Sequence, residues 1–151
     1  MSAVMNIEIT RMTDKDIDEI HKIESKVFSD PWSKRAFLSD IRNDFSIPLV
    51  AYFEKKVAGY ACLYRTTDEI QIGNLAVSPD FHQRGIGTKI MEYIINLAAE
   101  QKVKTLVLEV RQSNEAARKL YLKFGFKVAG RRRYYYRKPS EDALIMIRGI
   151  D

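Results

Sequence analysis

Apolar positions recur along the chain in two rhythms, and the places where one gives way to the other divide it into elements. Ile7 and Ile9 alternate with polar residues, which predicts a short strand. Thr13 then stands where an N-cap would, with Asp16 three residues on in capping-box position. The helix that follows carries Ile17, Ile20, Ile23 and Val27 on one face. Phe28-Ser29-Asp30-Pro31-Trp32-Ser33 breaks it, and Ser33 can cap a second helix bearing Phe37, Leu38 and Ile41. Residues 48–53, 57–65 and 69–77 read as three strands, turned at Lys55-Lys56 and at Thr66-Thr67-Asp68.

Beyond Ser78-Pro79-Asp80 a glycine-bearing loop leads into a helix from about 86 to 101, with Ile86, Ile90, Ile94 and Leu97 on one side. The run TLVLEV at 105–110 is almost continuously apolar, the pattern of a strand buried on both faces. A helix from about 114 to 124 directs Ala117, Leu120, Tyr121 and Phe124 inward, and Gly125 sits where a left-handed C-cap would. Strands near 126–136 and 143–149 complete the chain. The order βα-α-βββ-αβ-αββ, without repeats or linkers, predicts a mixed α/β (α+β) sheet in one domain spanning 1–151.

The composition agrees with an ordinary globular protein: 151 residues, 46% apolar and 30% charged. No stretch approaches the roughly 18 apolar residues of a membrane span. The opening MSAVMNIEIT lacks the basic start and apolar run of a secretory signal, and Cys62 is the single cysteine, so a reducing cytoplasm is expected. The net charge of +5 is unevenly spread. Residues 102–138 hold twelve Lys or Arg against Glu109 and Glu115, whereas Asp14, Asp16, Asp18, Glu19 and Glu24 make the first third acidic. A basic half favours an anionic partner, which could be a nucleotide cofactor, an RNA-rich assembly or free nucleic acid.

The segment from Asn74 to Thr88 is the most informative. A strand ends at Val77, a turn follows, and Gly85 and Gly87 open a long helix. Glycine lets backbone approach a ligand, and the first N–H groups of a helix, with the helix dipole, suit a pyrophosphate. Two glycines in a plain tight turn would leave the same pattern. A dinucleotide fingerprint would need a third glycine, and Gly87-Thr88-Lys89 has the wrong order for a P-loop.

Val77, Pro79, Gly85 and Gly87 match V-x-P-x-x-[Q/R]-x-x-G-x-G, and the segment resembles the coenzyme A pyrophosphate signature of the GCN5-related N-acetyltransferases (GNAT). His82 departs from it where the family has Gln or Arg. Leu108-Glu109-Val110-Arg111-Gln112-Ser113-Asn114, Ala116-Ala117, Leu120-Tyr121 and Phe124-Gly125-Phe126 resemble the second half of that fold. The Phe28–Ser33 segment, and the arginine–tyrosine run followed by Glu141-Asp142-Ala143, are similar to two branches, the ribosomal-protein-alanine N-acetyltransferases (the RimI type) and the archaeal N-terminal acetyltransferases.

The resemblance implies a single-domain acetyltransferase that uses acetyl-coenzyme A as cosubstrate, without a metal. It carries cofactor contacts onto Leu75, Ala76 and Val77 at the strand end, through amides left unpaired by a splay of the neighbouring strands. It carries them also onto His82, Gln83, Arg84, Gly85, Ile86, Gly87 and Thr88 in the loop, and onto Asn114. By itself Asn114 reads equally as a helix N-cap. Glu109 is the one charge in an apolar strand; partial burial would raise its pKa toward that of a general base, while a salt bridge to Arg111 or another cation would make it structural. Periodicity makes Tyr121 a core aromatic, whereas the family pattern makes it general acid to the departing thiolate.

The run Arg131-Arg132-Arg133-Tyr134-Tyr135-Tyr136-Arg137-Lys138 combines cations and aromatics in a way that single-stranded nucleic acid could use. Alternation along a strand would split the tyrosines between two faces. The resemblance instead has Tyr134, Tyr135 and Tyr136 face Pro31 and Trp32 across an acceptor groove. The implied acceptor is the α-amine of a protein N-terminus, a ribosomal protein among the candidates; a polyamine or aminoglycoside acceptor, or a basic binding module without activity, would fit the same fold. Cys62 reads as a packed core thiol and His21 as solvated.

Overall fold

The computed structural model describes residues 6–150; residues 1–5, which hold the first half of the MSAVMNIEIT segment, and residue 151 lie outside the described residues. Every element expected from the periodicity is present. They are β1 (Ile7–Arg11), α1 (Ile17–Val27), α2 (Lys34–Ile41), β2 (Ser46–Phe53), β3 (Lys56–Arg65), β4 (Glu69–Val77), α3 (Ile86–Glu100), β5 (Thr105–Arg111), α4 (Glu115–Lys123), β6 (Lys127–Tyr136) and β7 (Glu141–Gly149). Short 3-10 turns lie at Asp14–Asp16 and Pro79–Phe81. The strands form one seven-stranded sheet in the order β1-β2-β3-β4-β5-β7-β6, with β4 and β5 parallel and the other pairs antiparallel.

Side-chain alternation on the strands divides the interior in two. Ile17, Ile20, Ile23 and Phe37 of α1 and α2 pack with Val50, Tyr60 and Cys62 on one face of the sheet. Leu49, Ala61 and Leu63 point the other way, under Ile86, Ile90, Met91 and Ile94 of α3. Cys62 is fully buried, as expected of a core thiol, and burial holds its thiol well above the ordinary range.

Local signals are realised with small shifts. Thr13 starts the 3-10 turn rather than the α-helix, and its N–H donates to Asp16 Oδ2 at 2.8 Å. Ser33 caps α2 through Ala36 N–H at 3.1 Å, and Gly125 ends α4 with φ +89°. β5 is less enclosed than its composition suggests: Leu106, Leu108 and Val110 are buried, whereas Thr105, Val107 and Glu109 are half-buried. Val27 is 41% exposed because the end of α1 runs out over a cleft, and His21 is half-buried rather than solvated.

Phe37 is fully buried between Trp32, at 5.4 Å between ring centroids, and Tyr60, at 5.7 Å and nearly perpendicular. Phe37→Ala should cost about 3–5 kcal/mol of stability through lost burial and the cavity left behind. Urea unfolding should show this as a lower midpoint with an unchanged slope.

Candidate active site

The site is made by two strands that part company. β4 and β5 pair from Glu69–Thr105 to Ile72–Leu108 and no further, although β4 runs on to Val77 and β5 to Arg111. The break coincides with a bulge: Cys62 pairs with Asn74 and Leu63 with Ile72, leaving Gly73 as the extra residue. A side chain at Gly73 would be obstructed, since its Cβ would lie 2.6 Å from Tyr64 Cε2.

Past the bulge, Ser78 N–H donates to the Ala58 carbonyl of β3 at 2.7 Å. Backbone groups alternate in direction along a strand, so Ala76 also turns toward β3, while the amides of Leu75 and Val77 turn into the gap. The Ala76 carbonyl confirms the direction, since a Cβ at Gly59 of β3 would stand 2.8 Å from it. Of the strand-end residues expected near the splay, Leu75 and Val77 thus have amides on the side of the gap, whereas Ala76 turns toward β3.

The gap opens into a cleft of about 840 Å³ lined by both strands, the α1–α2 loop, α4 and the β6–β7 end. Glu109 and Tyr121 both line it. The Glu109 side chain is only 12% exposed; Oε1 lies 3.5 Å from Arg132 Nε, and Oε2 is buried without a hydrogen-bond partner. Its cation is Arg132 of β6 and not Arg111, whose guanidinium pairs with Glu141 at 3.3 Å. Tyr121 is 6% exposed, packs on Phe126 at 5.7 Å between centroids, and makes no protein hydrogen bond among the described residues. Burial raises its phenol to about 12, so it carries its proton throughout the neutral range. It is thus at once the core aromatic of its helix face and a wall of the cleft.

The glycine loop runs directly into α3. Gly85 adopts φ +79° at the start of α3, a conformation that favours glycine, and no side chain caps the helix. The first intrahelical bond runs from Lys89 N–H to the Gly85 carbonyl, which leaves the amides of Ile86, Gly87 and Thr88 without helical partners. His82, Gln83 and Arg84 are exposed, and the Arg84 guanidinium lies over the Phe53 ring at 5.6 Å, so the loop presents backbone at the helix mouth. Asn114 both caps α4, accepting from Ala117 N–H at 3.2 Å, and lines the cleft.

Of the five acceptor residues, Trp32, Tyr135 and Tyr136 reach the cleft; Pro31 is exposed and outside it, and Tyr134 is 76% exposed with φ +55°. The alternation expected for the tyrosines is overturned by a bulge. Arg132 pairs with Ala143 and Tyr136 with Glu141, so three residues of β6 stand opposite Asp142 alone. Tyr134 takes the left-handed conformation and turns out, and its neighbours Tyr135 and Tyr136 meet edge to face at 5.1 Å in the cleft wall. Burial and the Glu109 carboxylate raise both of their phenols. Arg111 stands over Tyr136 at 4.5 Å and donates to the carbonyls of Arg137, at 2.8 Å, and Pro139, at 3.0 Å.

Two groups in the cleft lining escaped the sequence reading. Glu24 is 1% exposed and accepts from Asn74 Nδ2 at 3.0 and 3.1 Å, from Trp32 N–H at 2.9 Å and from the Tyr60 hydroxyl. The available signal was a glutamate on the apolar stripe of α1, four residues after Ile20. Glu141 accepts from Ser113 N–H at 2.6 Å and Ser113 Oγ at 2.9 Å, bonds that, with Arg111, hold its carboxyl below the usual range. Nothing local in the sequence marked that contact.

The acetyltransferase (GNAT) family model matches residues 17–126. The chain belongs to the GNAT acetyltransferase family. Among its relatives, the ribosomal protein bS18-alanine N-acetyltransferase of Salmonella typhimurium is 35% identical over 140 residues, covering 91% of this chain and 94% of that protein. The crystal structure of the ribosomal-protein-S18-alanine N-acetyltransferase from Escherichia coli superposes with a TM-score of 0.89 at 33% identity, covering 96% of this chain and 94% of that one. Ard1 from Thermoplasma volcanium gives a TM-score of 0.89 at 25% identity, covering 96% and 98%. The protein is therefore an acyltransferase of the GNAT fold, a family that uses acetyl-coenzyme A. Among the described residues no cluster of His, Cys, Asp and Glu could hold a metal ion, and no helix is long and apolar enough to cross a membrane.

Arg111 organises the loop that closes one side of this GNAT cleft. Arg111→Ala should lower stability by about 1–2 kcal/mol, since its hydrogen bonds are partly open to solvent. The local effect should be larger: hydrogen exchange at the amides of Arg137, Lys138 and Ser140 should accelerate well beyond that at β5.

Proposed function

We propose that the protein transfers the acetyl group of acetyl-coenzyme A directly to the α-amine of a protein N-terminus, in a ternary complex. The favoured acceptor begins with a small residue, as in a ribosomal protein of the bS18 type, which would place the enzyme in the cytoplasm. The observation that carries this reading is the cleft, in which Glu109 holds a buried, unpartnered carboxylate oxygen between the parted strands and the Trp32–Tyr135–Tyr136 walls. The named activity of the bS18-alanine relatives supports the acceptor.

The amides of Ile86, Gly87 and Thr88 fit the pyrophosphate, and those of Leu75 and Val77 fit the pantetheine arm and the thioester carbonyl. Glu109 takes a proton from the acceptor ammonium, directly or through water. The freed amine forms its bond to the carbonyl carbon, and the carbon–sulfur bond breaks as Tyr121 gives its proton to the sulfur. The second proton, shed by the new amide nitrogen, restores the Tyr121 phenol through water, and Glu109 releases the first to solvent.

An α-amine with a pKa of about 8 is roughly a tenth free at neutral pH, whereas a lysine near 10.4 is almost wholly protonated. The difference of about 2.4 units, or about 3.3 kcal/mol, is a cost that the α-amine spares the enzyme. The deciding measurement compares peptides with a free N-terminal Ala or Ser against N-terminally blocked peptides with an internal lysine. Faster turnover of the blocked set, or of spermidine, would overturn the assignment.

Glu109→Gln and Tyr121→Phe should each lower kcat by about 100- to 10,000-fold while the affinity for acetyl-coenzyme A stays near wild type. Wild-type rates from pH 6 to 9 in either variant would return that residue to a structural role. Because the Tyr121 phenol is raised to about 12, it stays protonated and no descending limb of kcat below pH 10 should come from it. Gly87→Val should weaken cofactor binding measured by calorimetry. The added methyls lie at the helix mouth, where a Cβ already stands 3.4 Å from Leu120 Cδ2.

A further inference from the structure

Glu24 is the most deeply buried carboxylate of the described residues that line the cleft, and the chemistry above leaves it without a task. Its surroundings are a built site. Trp32 N–H and Asn74 Nδ2 can only donate, and the Tyr60 hydroxyl donates too, so both oxygens are occupied as acceptors. Burial pushes the carboxyl above its usual range while these three donors oppose the shift. With 1% exposure Glu24 cannot reach an acceptor itself.

The three donors come from three different parts of the fold. Trp32 lies in the α1–α2 loop, Tyr60 in β3, and Asn74 in β4 directly after the bulge and directly before Leu75. A second path runs through the rings: Trp32 packs on Phe37, and Phe37 on Tyr60. The Trp32 backbone is thus tied by one carboxylate to the strand whose amides face the gap.

We infer that Glu24 is a positioning residue for the acceptor: by holding Trp32 N–H and Asn74 together it fixes one wall of the acceptor groove at a set distance from the β4 amides. This rests on the reading of the cleft as an N-terminal acetyltransferase site, and it adds a residue that touches neither substrate. Glu24→Gln keeps the shape of the side chain but leaves one neutral acceptor oxygen for Trp32 N–H and Asn74, with its NH2 turned to the Tyr60 hydroxyl, so the charge-assisted tie to the loop is weakened.

Trp32 is the only tryptophan in the chain, so its fluorescence reports the wall directly and without any acceptor. In Glu24→Gln the emission should shift to the red and acrylamide should quench it more readily. With an N-terminal Ala peptide, KM for the peptide should rise about tenfold, the effect of losing a hydrogen bond to a charged group, while KM for acetyl-coenzyme A stays within about twofold. Tyr60→Phe, which removes a donor but leaves the Trp32–Glu24–Asn74 tie, should lower stability and leave the peptide KM near wild type. If Glu24→Gln does not fold, Asn74→Ala cuts the same tie from β4 and is read by the same fluorescence and KM. Unchanged Trp32 fluorescence and peptide KM in the folded variant would overturn the inference, as would an equal KM rise in Tyr60→Phe. A wild-type enzyme inactive on every N-terminal peptide would instead sink the acceptor assignment, and the fluorescence would still decide the role of Glu24.

Discussion

The parting of β4 from β5 after Ile72 and Leu108 is the constraint on which the site depends. Parallel strands that stay paired consume every amide between them, so a catalytic cleft inside a continuous sheet requires the ladder to stop. Here the extra residue Gly73 breaks the β3–β4 register, and past it β4 remains bonded to β3 while β5 remains bonded to β7 through Arg111–Ala143. Each strand keeps one neighbour and gives up the other. The sheet remains stable, and the amides of Leu75 and Val77 are left on the side of the gap without a partner in the β4–β5 ladder.

Carboxylates at three places in the cleft show how environment separates roles that composition cannot. Glu24 is saturated by donors and serves as a tie. Glu141 is held by Ser113 and Arg111, which fastens the β6–β7 loop to the start of α4. Glu109 has one long ion pair to an exposed arginine and one oxygen with no partner. A buried oxygen left unsatisfied is costly, and such costs concentrate where a substrate group completes the bonding. The other two carboxylates hold the walls between which that oxygen is presented.

The arginine–tyrosine run shows the same logic at the opposite wall. A regular strand would send Tyr135 and Tyr136 to opposite faces, and the bulge opposite Asp142 turns both toward the cleft. Tyr134 N–H donates to Asp142 Oδ1 at 3.0 Å and Arg131 lies 3.7 Å from Oδ2, so Asp142 anchors the distortion. The cations that suggested a nucleic-acid surface are largely engaged: Arg131 with Asp142, Arg132 with Glu109, Lys138 with Asp30.

By itself the sequence determined the elements, their order and the helix mouth. Those depend on local rules: period in the apolar positions, Ser33 as a cap, Gly125 in the left-handed region, and two glycines where a strand meets a long helix. It also singled out Glu109 and Tyr121 through their motif, and they do share one cleft. Tertiary structure alone decided which cation meets Glu109, that Ala76 turns away while Leu75 and Val77 do not, and that Pro31 and Tyr134 lie outside the groove. The extra residue at Gly73 reverses the direction of every later residue of β4, the three residues opposite Asp142 re-aim Tyr134 and Tyr135 locally, and one-dimensional periodicity carries no record of either. Glu24 was hidden for a related reason. Its donors come from residues 32, 60 and 74, and only the folded sheet brings those three to one carboxylate.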